Sequence, residues 1–148
     1  MENLSKFAER LNELMEEENL TNKDLEKRSG CPSTSISAWR TKNVYPKLSN
    51  LLKLSKYFQC SIDYLFGLTE NRKTLRREIP LSFSERVRQL SESEGKTKYQ
   101  IAKACEFHNS EFTKWLKKGL IPQAETLIKI ADYLNCSVEY LLGLSDIR

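Results

Sequence analysis

The sequence predicts an all-α protein built as two tandem five-helix domains. Three observations carry that reading. First, sliding the 148-residue chain against itself at an offset of 76 aligns Phe7–Glu70 with Phe83–Asp146 without a gap. Roughly twenty of about sixty-four pairs are identical, the signature of an internal repeat. Second, apolar residues recur three and four apart rather than alternating, so the period is helical throughout. Third, 30% of the residues are charged and only 5 are Gly and 4 Pro, which suits a globular helical chain. The domains are read as 1–70 and 81–148. Segment 71–80, with Arg72, Lys73, Arg76 and Arg77 against the single acid Glu78, is read as a basic linker.

The elements repeat in order. Helix one carries Phe7, Leu11 and Leu14, matched by Phe83, Val87 and Leu90, and Ser82 with Glu85 makes a capping box in the second copy. Helix two starts at Thr21 or Thr97, with Asp24 or Gln100 at the reciprocal capping position. Helix three runs from about Ser33 to Thr41 and from Asn109 to Lys117. Helix four carries the stripe Leu48, Leu51, Leu52, Ser55, Phe58, matched by Ala124, Leu127, Ile128, Ala131, Leu134. Helix five begins at Ser61 or Ser137, has Asp63 or Glu139 in its first turn, and stops at Gly67 or Gly143.

Helix three bears on function. Segment Cys31–Pro46 returns as Phe107–Pro122 with its Trp, the Lys three residues later and the closing Pro in place. Nearly every polar residue between them changes. On a helical wheel Ile36 and Trp39, or Phe112 and Trp115, fall together and face inward, each gaining about 1.5–3 kcal/mol by burial. Thr34, Ser37, Ala38 and Thr41 then face outward, as do Ser110, Thr113, Lys114 and Lys117. Any solvent face drifts, but a constant inner face under a rewritten outer one is also what a reading surface looks like.

Other function classes find little support. No apolar run approaches the roughly 18 residues of a membrane span, so no membrane partner is expected. The start MENLSKFAER has no apolar core of a signal peptide, and the protein is expected to be cytoplasmic. The four cysteines form no C-x-x-C pair and read as free, mostly buried thiols. Cys105 and His108 are half of a metal pattern in a chain with a single His, so no metal is expected. His108 has no acid partner in a cleft-forming pattern and no phosphate-cradling Gly loop occurs, so neither an enzyme, a cofactor nor a small-molecule ligand is expected. The net charge is +4; residues 1–70 balance ten basic against ten acidic residues, and the excess lies mainly in 71–79.

The order of a capped helix, a short turn and a second short helix with a small-polar start, TNKDLEKRSGCPSTSISAW, resembles the lambda-repressor-like, Cro-type helix-turn-helix family, also called the xenobiotic-response-element family. Its most specific elements are Thr21-Asn22, Leu25, Gly30, Ile36-Ser37, Trp39, Pro46 and Ser61–Gly67. In the second copy they are Thr97-Lys98, Ile101-Ala102, Phe112-Thr113, Trp115, Pro122 and Ser137–Gly143. The resemblance implies a prokaryotic or phage transcriptional regulator, of repressor type, whose partner is double-stranded DNA. In such proteins the second of the two helices enters the major groove. Base-facing residues would be Ser33, Thr34, Ser37 and Ala38, then Asn109, Ser110, Thr113 and Lys114. Phosphates would meet Asn22, Lys42 and Asn43, and Lys98, Lys117 and Lys118. A ten-residue linker, reaching about 33–36 Å when extended, would span half-sites about 34 Å apart.

Three departures qualify the pattern. Family members place a small residue after the Leu of helix two, as Ala102 does; the first copy has Glu26, so a looser helix contact is expected there. The turn Gly30 is replaced by Glu106, so the second turn either takes strain or changes shape. The first helix three lacks Arg, Gln and Asn, the residues that pair bidentately with guanine or adenine, and the second carries Glu111. The alternative function is a protein-interaction module. In it one copy has lost DNA binding and pairs with an antirepressor- or antitoxin-like partner, or with a second chain as a homodimer.

Overall fold

The computed structural model describes residues 2–41 and 44–148. Among them ten α-helices and no strand occur. The chain divides into two compact units, Met1–Thr74 and Leu75–Arg148. The first holds α1 (Glu2–Glu17), α2 (Asn22–Ser29), α3 (Ser33–Thr41), α4 (Leu48–Phe58) and α5 (Ile62–Leu65). The second holds α6 (Phe83–Glu94), α7 (Lys98–Ala104), α8 (Ser110–Lys118), α9 (Ala124–Tyr133) and α10 (Val138–Leu141).

Local chemistry sets the helix ends. Thr21 and Asp24 exchange bonds at the start of α2, and Thr97 and Gln100 do the same at α7. The Thr21 backbone N–H and hydroxyl hold the Asp24 carboxyl below its ordinary pKa range. Ser61 and Ser137 cap α5 and α10 by accepting from Tyr64 and Tyr140 N–H. At α6 only half the expected capping box forms. Ser82 Oγ accepts from Glu85 N at 3.2 Å, while the same hydroxyl also lies 3.2 Å from Ser84 Oγ.

Both cores form around helix three. Phe7, Leu11, Leu14, Leu25 and Ile36 are buried in the first unit, as are Phe83, Val87, Leu90, Ile101 and Phe112 in the second. The stripe read for helix four omits Leu54 and Ile130, both fully buried, while Leu48 and Leu52 are only half-buried. The reason is that α4 packs against both α2 and α5, and α9 against both α7 and α10, so each needs a broader apolar face than one stripe.

Segment 71–80, read in the sequence as a basic linker, is bonded at both ends. Ser61 N donates to Arg72 O at 2.8 Å, and the Arg72 guanidinium reaches Phe58 O and Glu17. The same backbone tie recurs 76 residues on: Ser137 N donates to Arg148 O at 2.9 Å, and Arg148 reaches Leu134 O and, one position off the repeat, Glu94. Arg72 is therefore the last residue of a repeat. From the other side, Leu75 O accepts from Ser145 Oγ, Arg77 N donates to Leu144 O, and Leu81 N donates to Gly143 O. Three of the four bases are committed to acids: Arg72 to Glu17, Arg76 to Glu139 and Arg77 to Asp146. Backbone bonds within each unit thus hold both ends of the segment.

Two stability predictions arise here. Gly143 sits at φ +73, and a Cβ there would overlap the Leu81 carbonyl oxygen and lie 2.7 Å from its carbon. Gly143→Ala is expected to cost about 3 kcal/mol or more, from left-handed strain plus overlap with backbone. Gly67→Ala meets the Lys6 side chain instead, so a smaller loss is expected in a urea titration of the two variants. Arg76 makes a two-bonded pair with Glu139, at 2.8 and 2.7 Å, and the Glu139 side chain is 1% exposed. Arg76→Ala is expected to cost about 2 kcal/mol, below the range of fully buried pairs because the arginine is partly solvated. The urea midpoint of the full chain reads that loss.

Candidate nucleic-acid interface

In the first unit α2 and α3 are joined by a three-residue turn that Gly30 makes at φ +85, its N–H closing on Glu26 O. Ile36 is fully buried and Trp39 is 3% exposed, in edge contact with Phe7 at 6.2 Å between ring centroids. That seat turns Thr34 and Ser37 to solvent and leaves Ser33 and Ala38 half-exposed. Asn22, at the start of α2, is half-buried, and its Oδ1 accepts from Arg40 Nη1 at 2.6 Å. Arg40 Nε donates to Asn12 Oδ1, also at 2.6 Å, so one guanidinium ties α1, α2 and α3. Glu26, expected to loosen the α2–α3 contact, instead points its carboxylate across the turn, where Oε1 accepts from Ser33 N at 2.7 Å. Leu25 beside it is fully buried. Lys42 and Asn43 lie outside the described residues.

In the second unit the turn passes through Glu106 at φ +62, the strained alternative of the two that the missing glycine left open. A non-glycine residue there costs about 1–2 kcal/mol. Asn109 precedes α8, which begins at Ser110 rather than Asn109 and ends at Lys118. His108 Nδ1 accepts from Ser110 N at 3.2 Å and lies 2.7 Å from Ser110 Oγ. Trp115 is 6% exposed and packs edge-on against Phe107 at 4.9 Å. Asn109, Ser110, Thr113 and Lys114 are exposed, and Lys114 Nζ pairs with Glu111 at 3.2 Å. Lys98 is exposed at the start of α7, and Lys117 and Lys118 are exposed in the last turn of α8. Cys105 is buried and its thiol is pushed up to about 11 by desolvation, so it stays protonated and inert.

Comparison with known families matches residues 10–71 to the Cro/C1-type HTH DNA-binding domain. Residues 10–71, which hold α2 to α5, are thus similar to a Cro/C1-type helix-turn-helix domain. The second unit lies outside that match. Among curated proteins, the HTH-type transcriptional activator BcrR of Enterococcus faecalis is 33% identical over 79 residues, covering 48% of this chain and 39% of that protein. The chain thus spans well under half the length of that relative. No solved structure matches the chain. No helix among the described residues is long and apolar enough to cross a membrane.

Sequence reasoning missed two groups in the Cro/C1-type domain: Arg40 and the reach of Glu26. Position 40 falls on the flank of the α3 wheel, and its replacement by Leu116 in the second copy hid it. A signal did exist. Where the second copy has Leu116 it also has Arg88 and Lys98 in place of Asn12 and Asn22, so the cation moves from α3 to α6 and α7.

Proposed function

We propose that the chain is a sequence-specific DNA-binding transcriptional regulator that presents α3, and α8 of a second helix-turn-helix copy, to the major groove. The observation that carries this reading is the Cro/C1-type match over α2–α3, joined to an α3 whose tryptophan is buried and whose Thr34 and Ser37 are exposed. The second copy is supported by the repeat at an offset of 76 and by the same buried tryptophan under exposed polar residues. Base edges would be met by Ser33, Thr34, Ser37 and Ala38, and by Asn109, Ser110, Thr113 and Lys114. Phosphates would be met by Asn22 with Arg40, and by Lys98, Lys117 and Lys118. Lys42 and Asn43 keep the phosphate role implied by the resemblance. Two weak readers on one chain gain from effective concentration. Repressor action rests on the family resemblance alone, since the relative is named an activator.

The test is selection of bound sequences from a random DNA pool with the full chain. Repetition with Thr34→Ala should shift the preferred base at one position, with about 1–3 kcal/mol of lost discrimination. No enrichment, or an unchanged preference in the variant, contradicts the reading. The second reading is a protein-binding role for the second copy, favoured by exposed Tyr99 on α7 and exposed Leu120 and Ile121 after α8. Under it, Lys114→Ala and Lys117→Ala would leave DNA affinity of the full chain unchanged.

A further inference from the structure

We propose that Glu26 is a built-in repulsive element that lowers the first copy's affinity for DNA phosphate and leaves the second copy as the stronger holding half. The inference rests on the DNA-binding reading above and adds to it a residue that sets specificity. The first N–H groups of a helix lack intrahelical partners and carry the positive end of its dipole, which ordinarily favours an approaching anion. At the start of α3 the preceding residue is Pro32, which has no side-chain oxygen to cap with. Glu26 fills that role from α2: its Oε1 takes the Ser33 N–H at 2.7 Å. A full negative charge therefore stands at the end of the helix that the proposed mode turns toward DNA.

The second copy solves the same problem without that charge. Ala102, buried, occupies the position of Glu26. The first N–H of α8, that of Ser110, goes to His108 Nδ1 at 3.2 Å, on a ring that is never anionic at physiological pH. The acid that α8 does carry, Glu111, is offset by Lys114 at 3.2 Å. Among the described residues no cation pairs with Glu26. A carboxylate at this place suppresses sequence-independent attachment, the larger competitor of any regulator in a genome, so it contributes specificity by repulsion.

The test compares the full wild-type chain with Glu26→Gln and Glu70→Gln on a mixed-sequence duplex over a salt series, by fluorescence anisotropy. Gln keeps an oxygen for the Ser33 N–H and drops the charge, and circular dichroism melts check that each variant folds. Glu70 lies on the tail after α5 with its side chain 89% exposed, and its replacement matches the change in net charge. Glu26→Gln is expected to bind about three- to tenfold tighter than wild type at low salt, with Glu70→Gln unchanged. Equal affinity of wild type and Glu26→Gln, with both bound, overturns the inference and leaves the DNA-binding reading standing. So does weaker binding by Glu26→Gln than by wild type, which would make the carboxylate an attractive contact rather than a repulsive one. Absence of binding by every protein at low salt overturns both.

Discussion

Trp39→Ala is expected to lower the stability of the first unit by about 3–5 kcal/mol, because it removes a large side chain from a packed core and leaves a cavity. The ring is 3% exposed and meets Phe7 edge-on, so the lost volume lies between α1 and α3, where little can collapse into it. A second effect follows on function. The indole is what seats α3, and without it Thr34 and Ser37 lose their fixed direction. DNA affinity of the full chain should fall even at temperatures where the helices persist. Trp39→Phe keeps most of the apolar area and should lose less of both. A urea titration beside a binding isotherm separates the losses; full stability in Trp39→Ala would contradict the inward seat.

Lys117→Ala with Lys118→Ala is expected to reduce the slope of log affinity against log salt by about 1.8, two phosphates at about 0.9 each. Between 50 and 200 mM salt the wild type should therefore lose roughly tenfold more affinity than the double variant. Both lysines are exposed in the last turn of α8, just before Gly119 at φ +69. They also sit favourably at a helix C-terminus, so a modest stability loss accompanies the change. Loss of affinity should be nearly independent of DNA sequence. A sequence-selective loss would instead place these residues among the base readers.

The helical pattern was legible because burial repeats every three to four residues. Ile36 with Trp39 and Phe112 with Trp115 fixed the roll of each helix three, and all four are buried in the fold. The outward placement of Thr34 and Lys114 follows from that roll, while their contact with DNA belongs to the proposal. Segment 71–80 was not legible. Its bonds are single backbone and arginine ties, some to distant residues such as Arg77 to Asp146 and some to nearer ones such as Arg72 to Ser61, and leave no period in the sequence. One clue was available: Arg72 and Arg148 are related by the same offset of 76 as the rest of the repeat. The reach of Glu26 was illegible for a different reason. A long flexible side chain on an exposed helix face can point several ways, and the left-handed turn at Gly30 brings the start of α3 within its range.

Backbone amide chemical shifts of the full chain, followed while duplex DNA is added at low salt, test the central claim most directly. The account predicts the largest changes at Ser33, Thr34 and Ser37 on α3 and at Ser110, Thr113 and Lys114 on α8. Changes confined to α4, α5, α9 and α10, or none at saturating DNA, would contradict it.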